Sequence, residues 1–439
     1  MRRYGRDHRE RCLRVSFSSV GKTLETRSTT KNLSVVEICA GAGGQSLGLE
    51  KAGFSHLAAV ELDPDACKTL RANRPEWEVV EGDVLDPTVF DPKRYLGVDL
   101  FAGGVPCPPF SIAGKQLGAE DERDLFAFAV HMLAAMDANA LLLENVKGLA
   151  APRFAGYREH ILDLLQEWGY WAEWRLLRAS DFGVPQLRPR FILVALKQEF
   201  APYFSWPQNG PKPKTVGSVL YDLMSAHGWE GAPAWREAAA GIAPTIVGGS
   251  KKHGGADLGP TRSKRAWANL SVDAMGLADA APDRSTSLLH QPRLTNEMVA
   301  RIQGWIPEDE WSFAGRKTLV YRQIGNAFPP PVAQAVGSQI HKALSKVGEP
   351  CQDLQRAEHS DAVVYRALNS AVGRFLSVRS ITDRTGKNEE EIIRAISHLE
   401  SDFTVQSRNV QGKPQYRLLA FKGFTTVPEL DAGLAPTLT

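Results

Sequence analysis

Between residues 35 and 197, short apolar runs alternate with segments whose apolar positions recur every three or four residues. The runs VVEICA (35–40), HLAAVEL (56–62), EVVEGDV (78–84), VDLFAGG (98–104) and ALLLENV (140–146) read as strands, and a further strand pair ends in PRFILVAL (189–196). Between them, QSLGLEKAGF, PDACKTLRANR, DLFAFAVHMLAAMDA and REHILDLLQEWGY read as amphipathic helices. This alternation predicts an α/β fold with a doubly wound, mostly parallel sheet that binds ligands at the carboxyl ends of its strands. Functional residues are therefore expected just after strands.

The alternation stops at residue 197. Residues 198–300 are rich in Gly, Pro and Trp, and GGSKKHGGADLGPTRSKRAW gathers Lys251, Lys252, Arg262, Lys264 and Arg265, which predicts a second, loop-rich domain. At 301–347 the chain is expected to return to the first domain, with YRQIGNAFPPPVAQAVGSQIHKAL as a loop leading into a helix. After a linker, residues 359–424 show three helical segments and a hairpin, FTVQSRNVQGKPQYRLLAF, which together predict a winged-helix-like domain of unknown role. Its candidate recognition helix opens on Glu389, Glu390 and Glu391. Those acids would face phosphates badly, so a protein contact is as good a reading as a DNA contact.

The 439 residues, 43% hydrophobic and 23% charged, are ordinary for two or three globular domains. No apolar run approaches the roughly 18 residues of a membrane span, and the N-terminus lacks a signal-peptide core, so a cytoplasmic protein is expected. Five scattered cysteines with no CxxC pair argue against a disulfide framework, and no metal site is expected. The net charge of +2 does not announce a nucleic-acid partner. Residues 1–34, rich in arginine, read as a disordered basic arm or as an extension ahead of the true start.

The candidate chemistry lies on the predicted strand-end rim. EICAGAGG is a strand followed by a glycine turn (Gly41, Gly43, Gly44) opening a helix, which lets a ligand approach backbone amides. Ser46 replaces the third glycine of the dinucleotide fingerprint, lowering the case for NAD. The next strand ends in Glu61, placed to accept hydrogen bonds from ribose hydroxyls, and the third ends near Asp83. A nucleoside-bearing cofactor without a demanding phosphate site fits. Cys107, between Pro106 and Pro108 after the fourth strand, is a thiol on a stiff loop, suited to act as a nucleophile once ionised. The fifth strand brings Glu144 to the same rim. Gln186, Arg188 and Arg190 alternate and so share one face of an extended edge segment, where two unpaired arginines call for an anion.

In this order EICAGAGG, VELD, EGDV, GGVPCPPFS, ENVKG, QLRPR and RQIGNAFPPPV resemble the cytosine-5 DNA methyltransferase family across residues 35 to about 345. The resemblance implies a class I S-adenosylmethionine-dependent, Rossmann-like catalytic domain with an inserted target-recognition domain at 198–300. It implies Cys107 as the nucleophile that adds to carbon 6 of a flipped-out cytosine, Glu144 at ring nitrogen 3, and Arg188 supporting the base beside Glu144. Arg190 and Gln186 would position these groups. Cys39, Ala40, Gly41, Gly43, Gly44, Glu61, Leu62, Asp83, Val84, Pro106, Asn326 and Ala327 would line the S-adenosylmethionine site. Ser111, Arg123 on a loop closing over the base, Lys251, Lys252, Arg262, Lys264 and Arg265 would contact DNA. One departure is Cys39, where the family usually carries an aromatic. The partners implied are double-stranded DNA, bound by a monomer in the prokaryotic nucleoid, and a cognate restriction endonuclease acting on the same site. The alternatives are a tRNA cytosine-5 methyltransferase of the same fold and a DNA-binding regulator working through its C-terminal domain.

Overall fold

The computed structural model describes residues 32–106, 124–249, 257–351 and 361–424. Its first unit contains β1 (Leu33–Ile38), α1 (Gly44–Lys51), β2 (Phe54–Glu61), α2 (Pro64–Asn73), β3 (Val79–Glu81), β4 (Leu100–Gly103), α3 (Leu125–Ala135), β5 (Ala140–Val146), α4 (Ala155–Glu167), β6 (Tyr170–Arg178) and β7 (Pro189–Lys197). The strands form one seven-stranded sheet in the order β3-β2-β1-β4-β5-β7-β6. Neighbours among β1 to β5 pair in parallel, and β7 alone runs antiparallel to both its neighbours. Because β1 pairs with both β2 and β4, the strand order reverses between β1 and β4, the place where doubly wound sheets open a ligand crevice.

Both faces of this sheet are buried, which explains why ALLLENV reads as a continuous apolar run rather than an alternating one. Along β5, Leu141 and Leu143 face a core shared with α3 and α4, while Ala140 and Leu142 face a second layer shared with α10 (Pro330–Leu344). Helix α1 lies against α10 at close range. A Cβ on Gly48 would stand 2.5 Å from that of Ala333, and one on Gly44 only 2.3 Å from the Phe328 carbonyl oxygen, so the spacing admits only glycine at both positions.

The second unit builds its own core from α5 (Val216–Ser225), α6 (Ala232–Ala238), α7 (Thr261–Ala268), α8 (Asn296–Gln303) and α9 (Lys317–Asn326). Trp229, Trp235 and Trp267 fill it. Helices α8 and α9 belong to this core, and the chain rejoins the sheet layer at Phe328. The segment YRQIGN, expected as loop, is instead the end of α9. Its Val320, Tyr321 and Ile324 are buried on one side of a helix that starts before the glycine and proline cluster, so the breakers end the helix rather than prevent it.

The third unit comprises α11 (Val363–Asn369), β8 (Leu376–Ser377), α12 (Val378–Thr385), α13 (Glu389–Asp402), β9 (Phe403–Val410) and β10 (Lys413–Phe421), with an antiparallel sheet in the order β8-β10-β9. The three glutamates that open α13 serve the helix itself. Asn388 accepts from the Glu391 amide while the Glu391 carboxylate accepts from the Asn388 amide, a reciprocal cap, and negative charge there suits the helix dipole. The unit is seated on α4. Arg158 meets Asp361 at 2.6 Å, Arg366 meets Glu159 at 3.1 Å, and the Phe421 ring lies 4.4 Å from His160. Only a glycine at 156 lets α13 approach, since a Cβ there would stand 2.2 Å from Leu399 Cδ2.

Candidate active site

Strand β5 ends the sheet's central run, and the strand that hydrogen-bonds to its outer edge, β7, runs the opposite way. The antiparallel register sets Glu144 opposite Ile192 and Val146 opposite Arg190, so the Arg190 side chain comes within reach of Glu144. Arg190 Nε lies 2.5 Å from Glu144 Oε1, and both side chains are nearly buried, at 12% and 10% exposure. The Nε–H does not point along the contact, so it is an ion pair without hydrogen-bond alignment. The Arg190 guanidinium also donates to the Pro189 carbonyl at 3.0 Å.

Arg188 is placed differently from the expectation. It is 1% exposed and spends its guanidinium on three main-chain carbonyls, each at 2.8 Å: Ile246 in the second unit, Gly325 in α9 and Ala327 just after it. Burial first, and then the neighbouring Arg190 charge, push its pKa well below the ordinary arginine value, while Glu144 opposes the shift. The residue fixed against Glu144 is therefore Arg190, and Arg188 is the bolt between units. The physical reason is local: Pro189 offers no amide to the ladder, and the two arginines flanking it reach different surroundings.

Gln186 is likewise not a partner of Glu144. Fully buried, it donates to Gln303 Oε1 at 2.6 Å and accepts from the Ile246 amide at 2.8 Å, while Gln303 donates to the Ala327 carbonyl at 2.7 Å. Gln186 also forms a bridge with Ala243. This polar network clamps residues 243–246 and the end of α9 onto the approach to β7. Gln303 was missed in the sequence, where nothing marks a glutamine at the end of a helix as a partner for a residue more than a hundred positions earlier.

The glycine turn follows β1. Cys39 takes a left-handed conformation (φ 51°), Gly41 and Gly43 follow at φ 55° and 85°, and α1 begins with no side-chain cap on its amides. Ala40 bonds to the Val60 carbonyl at 3.2 Å, tying the turn to β2. At the end of β2, Glu61 accepts from the Gly41 amide at 2.7 Å and the Asp63 amide at 2.8 Å. Its carboxyl is raised above the usual carboxylate range by burial, against the pull of those amides. The Cys39 thiol is pushed far up by burial and then by Glu61, Asp83 and Glu37, which disfavours its thiolate.

Leu62 is 64% exposed beside Glu61, Asp83 is exposed and accepts from the Leu85 amide at 3.0 Å, and Val84 is buried beneath it. Trp311 floors the turn, donating to the Ala42 carbonyl at 3.1 Å and passing so close to Gly43 that a Cβ there would stand 2.4 Å from its ring. Sequence gave no signal for it across 269 positions.

Gly104 joins the two halves of the site. A Cβ at that position would lie 3.7 Å from the Cys39 carbonyl oxygen and 3.7 Å from Glu144 Oε2. The glycine turn and the Glu144 carboxylate thus meet across the switch point, and Pro106 stands exposed at the end of the same segment. Ala327 packs on the start of α1, its Cβ 2.9 Å from a Cβ built on Gly44. The Asn326 side chain turns away, donating to the Gly249 carbonyl at 3.3 Å. Cys107, Ser111, Arg123, Lys251 and Lys252 lie outside the described residues. Arg262 and Arg265 are exposed on α7, a helix where loop was expected, and Lys264 is paired with Asp257 at 2.9 Å.

The described residues fit S-adenosylmethionine. Space beyond Gly41 is open where a Cβ would point, the uncapped α1 amides face the turn, and the rim carboxylates Glu61 and Asp83 flank it without a basic residue for a phosphate.

Comparison with known proteins agrees. The sequence model of the C-5 cytosine-specific DNA methylase family matches residues 33–342. The chain is 59% identical to the type II methyltransferase M.NaeI of Lentzea aerocolonigenes over 90% of this chain and 95% of that protein. It is 54% identical to the type II methyltransferase M.NgoMIV of Neisseria gonorrhoeae over 71% of this chain and 98% of that protein. In fold it is similar to a prophage-encoded E. coli protein described as a DNA modification methyltransferase, with a TM-score of 0.51 at 23% identity over 72% of this chain and all of that one. The chain belongs to the C-5 cytosine-specific DNA methylase family, and it transfers a methyl group from S-adenosylmethionine to carbon 5 of cytosine in DNA.

Proposed function

We propose that this enzyme is the modification methyltransferase of a type II restriction-modification system and methylates one cytosine within a specific duplex sequence. The Arg190–Glu144 ion pair, set across Gly104 from the glycine turn, is the observation that carries the reading. The two type II relatives support the biological role.

Carbon 5 of cytosine is a poor nucleophile and lies inside the base stack, so the target base leaves the duplex, at a cost of about a few kcal/mol. Glu144 delivers a proton to ring nitrogen 3 as the ring takes up the electrons of the nucleophile, and Arg190 holds the carboxyl group in place. Cys107, joined to Pro106 at the end of the β4 segment, adds as a thiolate to carbon 6. The electron pair then resides on carbon 5, which attacks the methyl group. S-adenosylmethionine would supply that methyl as an electrophilic sulfonium, the methyl–sulfur bond breaking and its electron pair remaining on sulfur as a neutral thioether, and Glu61 would accept hydrogen bonds from its ribose hydroxyls. Removal of the carbon 5 proton expels Cys107 and restores the ring.

In this reading residues 198–300 form the target-recognition domain, with Arg262 and Arg265 available to DNA. The third unit is winged-helix-like, supported by its order of helix, short strand, two helices and hairpin. The enzyme acts as a monomer in the cytoplasm, with a restriction endonuclease of the same specificity as its partner. Among the described residues no helix is long and apolar enough to cross a membrane.

The test is a covalent trap. With S-adenosylmethionine and duplex DNA carrying 5-fluorocytosine, the wild type gives a denaturation-resistant protein–DNA adduct and Cys107→Ser gives none, because fluorine cannot leave carbon 5 as a proton does. A wild type that binds cofactor yet forms no adduct on DNA of varied sequence, while methylating tRNA, overturns the reading.

A further inference from the structure

The hairpin of the third unit carries Arg408, Lys413 and Arg417, which form no ion pair among the described residues. Residues 406–413 are exposed on consecutive positions, hence on both faces of the β9–β10 ribbon, so this end of it projects from the core. Residues 403–424 contain Arg408, Lys413, Arg417 and Lys422 but neither Asp nor Glu. Arg408 and Arg417 stack on the same ring, with guanidinium carbons 4.1 Å and 4.6 Å from the Phe375 centroid. The Nε of Arg408 donates to Gln415 at 2.9 Å and that of Arg417 to Gln406 at 2.7 Å. Two like charges are thereby held against one aromatic ring, and neither they nor Lys413 form an ion pair among the described residues. The two guanidinium groups repel each other across the ring they share, and an anion bound beside them relieves that repulsion.

Elsewhere in the unit the cations of α11 and α13 are paired, whereas Arg379 and Arg384 of α12 form no ion pair among the described residues. Lys387 pairs with Glu391, Arg394 with Glu390, and Arg366 with Glu159. Helix α13 buries Ile392, Ile396 and Leu399 and packs against the segment around Gly156, so the helix that a winged-helix protein commonly places in a groove is engaged within the chain.

We infer that the β9–β10 hairpin binds the phosphate backbone of duplex DNA outside the methylated sequence. The inference rests on the reading of the chain as a duplex-DNA methyltransferase. The flanking position follows from chain organisation: the family match ends at residue 342, and M.NgoMIV is matched over 98% of its length by 71% of this chain, so a complete relative does without this unit. The contact is to phosphate because the hairpin offers fixed guanidinium groups and a lysine.

The test uses the full-length enzyme and two duplexes centred on the sequence it methylates in expressing cells, one short and one extended by about two helical turns on each side. Wild type is expected to bind the extended duplex more tightly, with a steeper salt dependence. The triple variant Arg408→Ala, Lys413→Ala, Arg417→Ala loses that gain, its log–log salt slope falls by about 3, and its methylation rate on the short duplex stays at the wild-type value. Arg408→Lys with Arg417→Lys retains most of the salt slope, which separates lost charge from lost fold. The proposal is overturned if wild type binds both duplexes equally, if the triple variant binds the extended duplex like wild type, or if it also slows methylation of the short one. Failure of the underlying reading looks different, since wild type would then methylate neither duplex.

Discussion

Arg190 and Glu144 sit on adjacent antiparallel strands, and their charged groups meet at 2.5 Å at the strand end that faces the switch point of the sheet. A parallel neighbour would point its own carboxyl end the same way as β5. Because β7 is reversed, its beginning delivers Arg190 beside the last residues of β5. Glu144→Gln is expected to lower the single-turnover methylation rate by about a thousandfold, and Arg190→Ala by about a hundredfold. Arg190→Lys should recover only part, since an ammonium lacks the planar fork. Cofactor binding by calorimetry should be unchanged in all three, and a loss of cofactor affinity equal to the loss of rate would contradict the assignment.

Arg188 should behave as a structural residue. Arg188→Met strands three buried carbonyls and is expected to cost at least about 3 kcal/mol in urea unfolding, at about 1–3 kcal/mol per orphaned group. In a double-mutant cycle, Gln186→Leu and Gln303→Leu should couple by about 1 kcal/mol, since each is the other's hydrogen-bond partner. Additive effects would break the proposed network.

Burial raises the Glu61 carboxyl above its ordinary value, so folding makes its ionised form harder to reach than in the unfolded chain. The stability this contributes is present below about pH 4.3 and is lost as pH rises through the raised value. Glu61→Gln should remove that loss, so its stability relative to wild type improves across the same rise. Its cofactor affinity should fall by about ten- to a hundredfold, matching the roughly 1.5–3 kcal/mol of hydrogen bonds to a charged acceptor. Parallel pH slopes for the two proteins would count against the assignment.

His160 carries the seat of the third unit, between Phe403 and Phe421 and beside Tyr365. Burial lowers its pKa to about 4, with Asp163 pulling upward and His131 downward. The neutral ring's contribution is fully present above about pH 6.5 and is lost as pH falls through 4, a change on the order of 3 kcal/mol. His160→Gln should flatten the acid limb of the stability profile. An unchanged limb would mean that other groups control it.

Much of the site was legible in the sequence because its residues stand at strand ends, and strand ends are marked by the switch from an apolar run to glycine or a charge. Gly41, Glu61, Asp83 and Glu144 were expected there for this reason, and the structure sets each at or just after a strand end. The shares of Arg188 and Arg190 were not legible: both lie on one face of an extended segment, and spacing alone says nothing about what stands opposite that face. Gln303 and Trp311 escaped for the same reason, since each serves a residue of another unit and neither sits in a local pattern. The helix α9 was hidden by the glycine and prolines at its end.

The sequence by itself determined the α/β alternation up to the last strand of the sheet, the glycine turn and the carboxylates that follow the strands. These depend on periodicity and on local backbone freedom, which are properties of neighbouring residues. Only the tertiary structure decided that Arg190 rather than Arg188 is fixed to Glu144, that Gln186 clamps the second unit, and that α13 is occupied within the chain while residues 406–413 of the hairpin are exposed. Those outcomes depend on which distant carbonyls, carboxylates and rings share a buried volume, and in a low-dielectric interior every polar group must find its partner there.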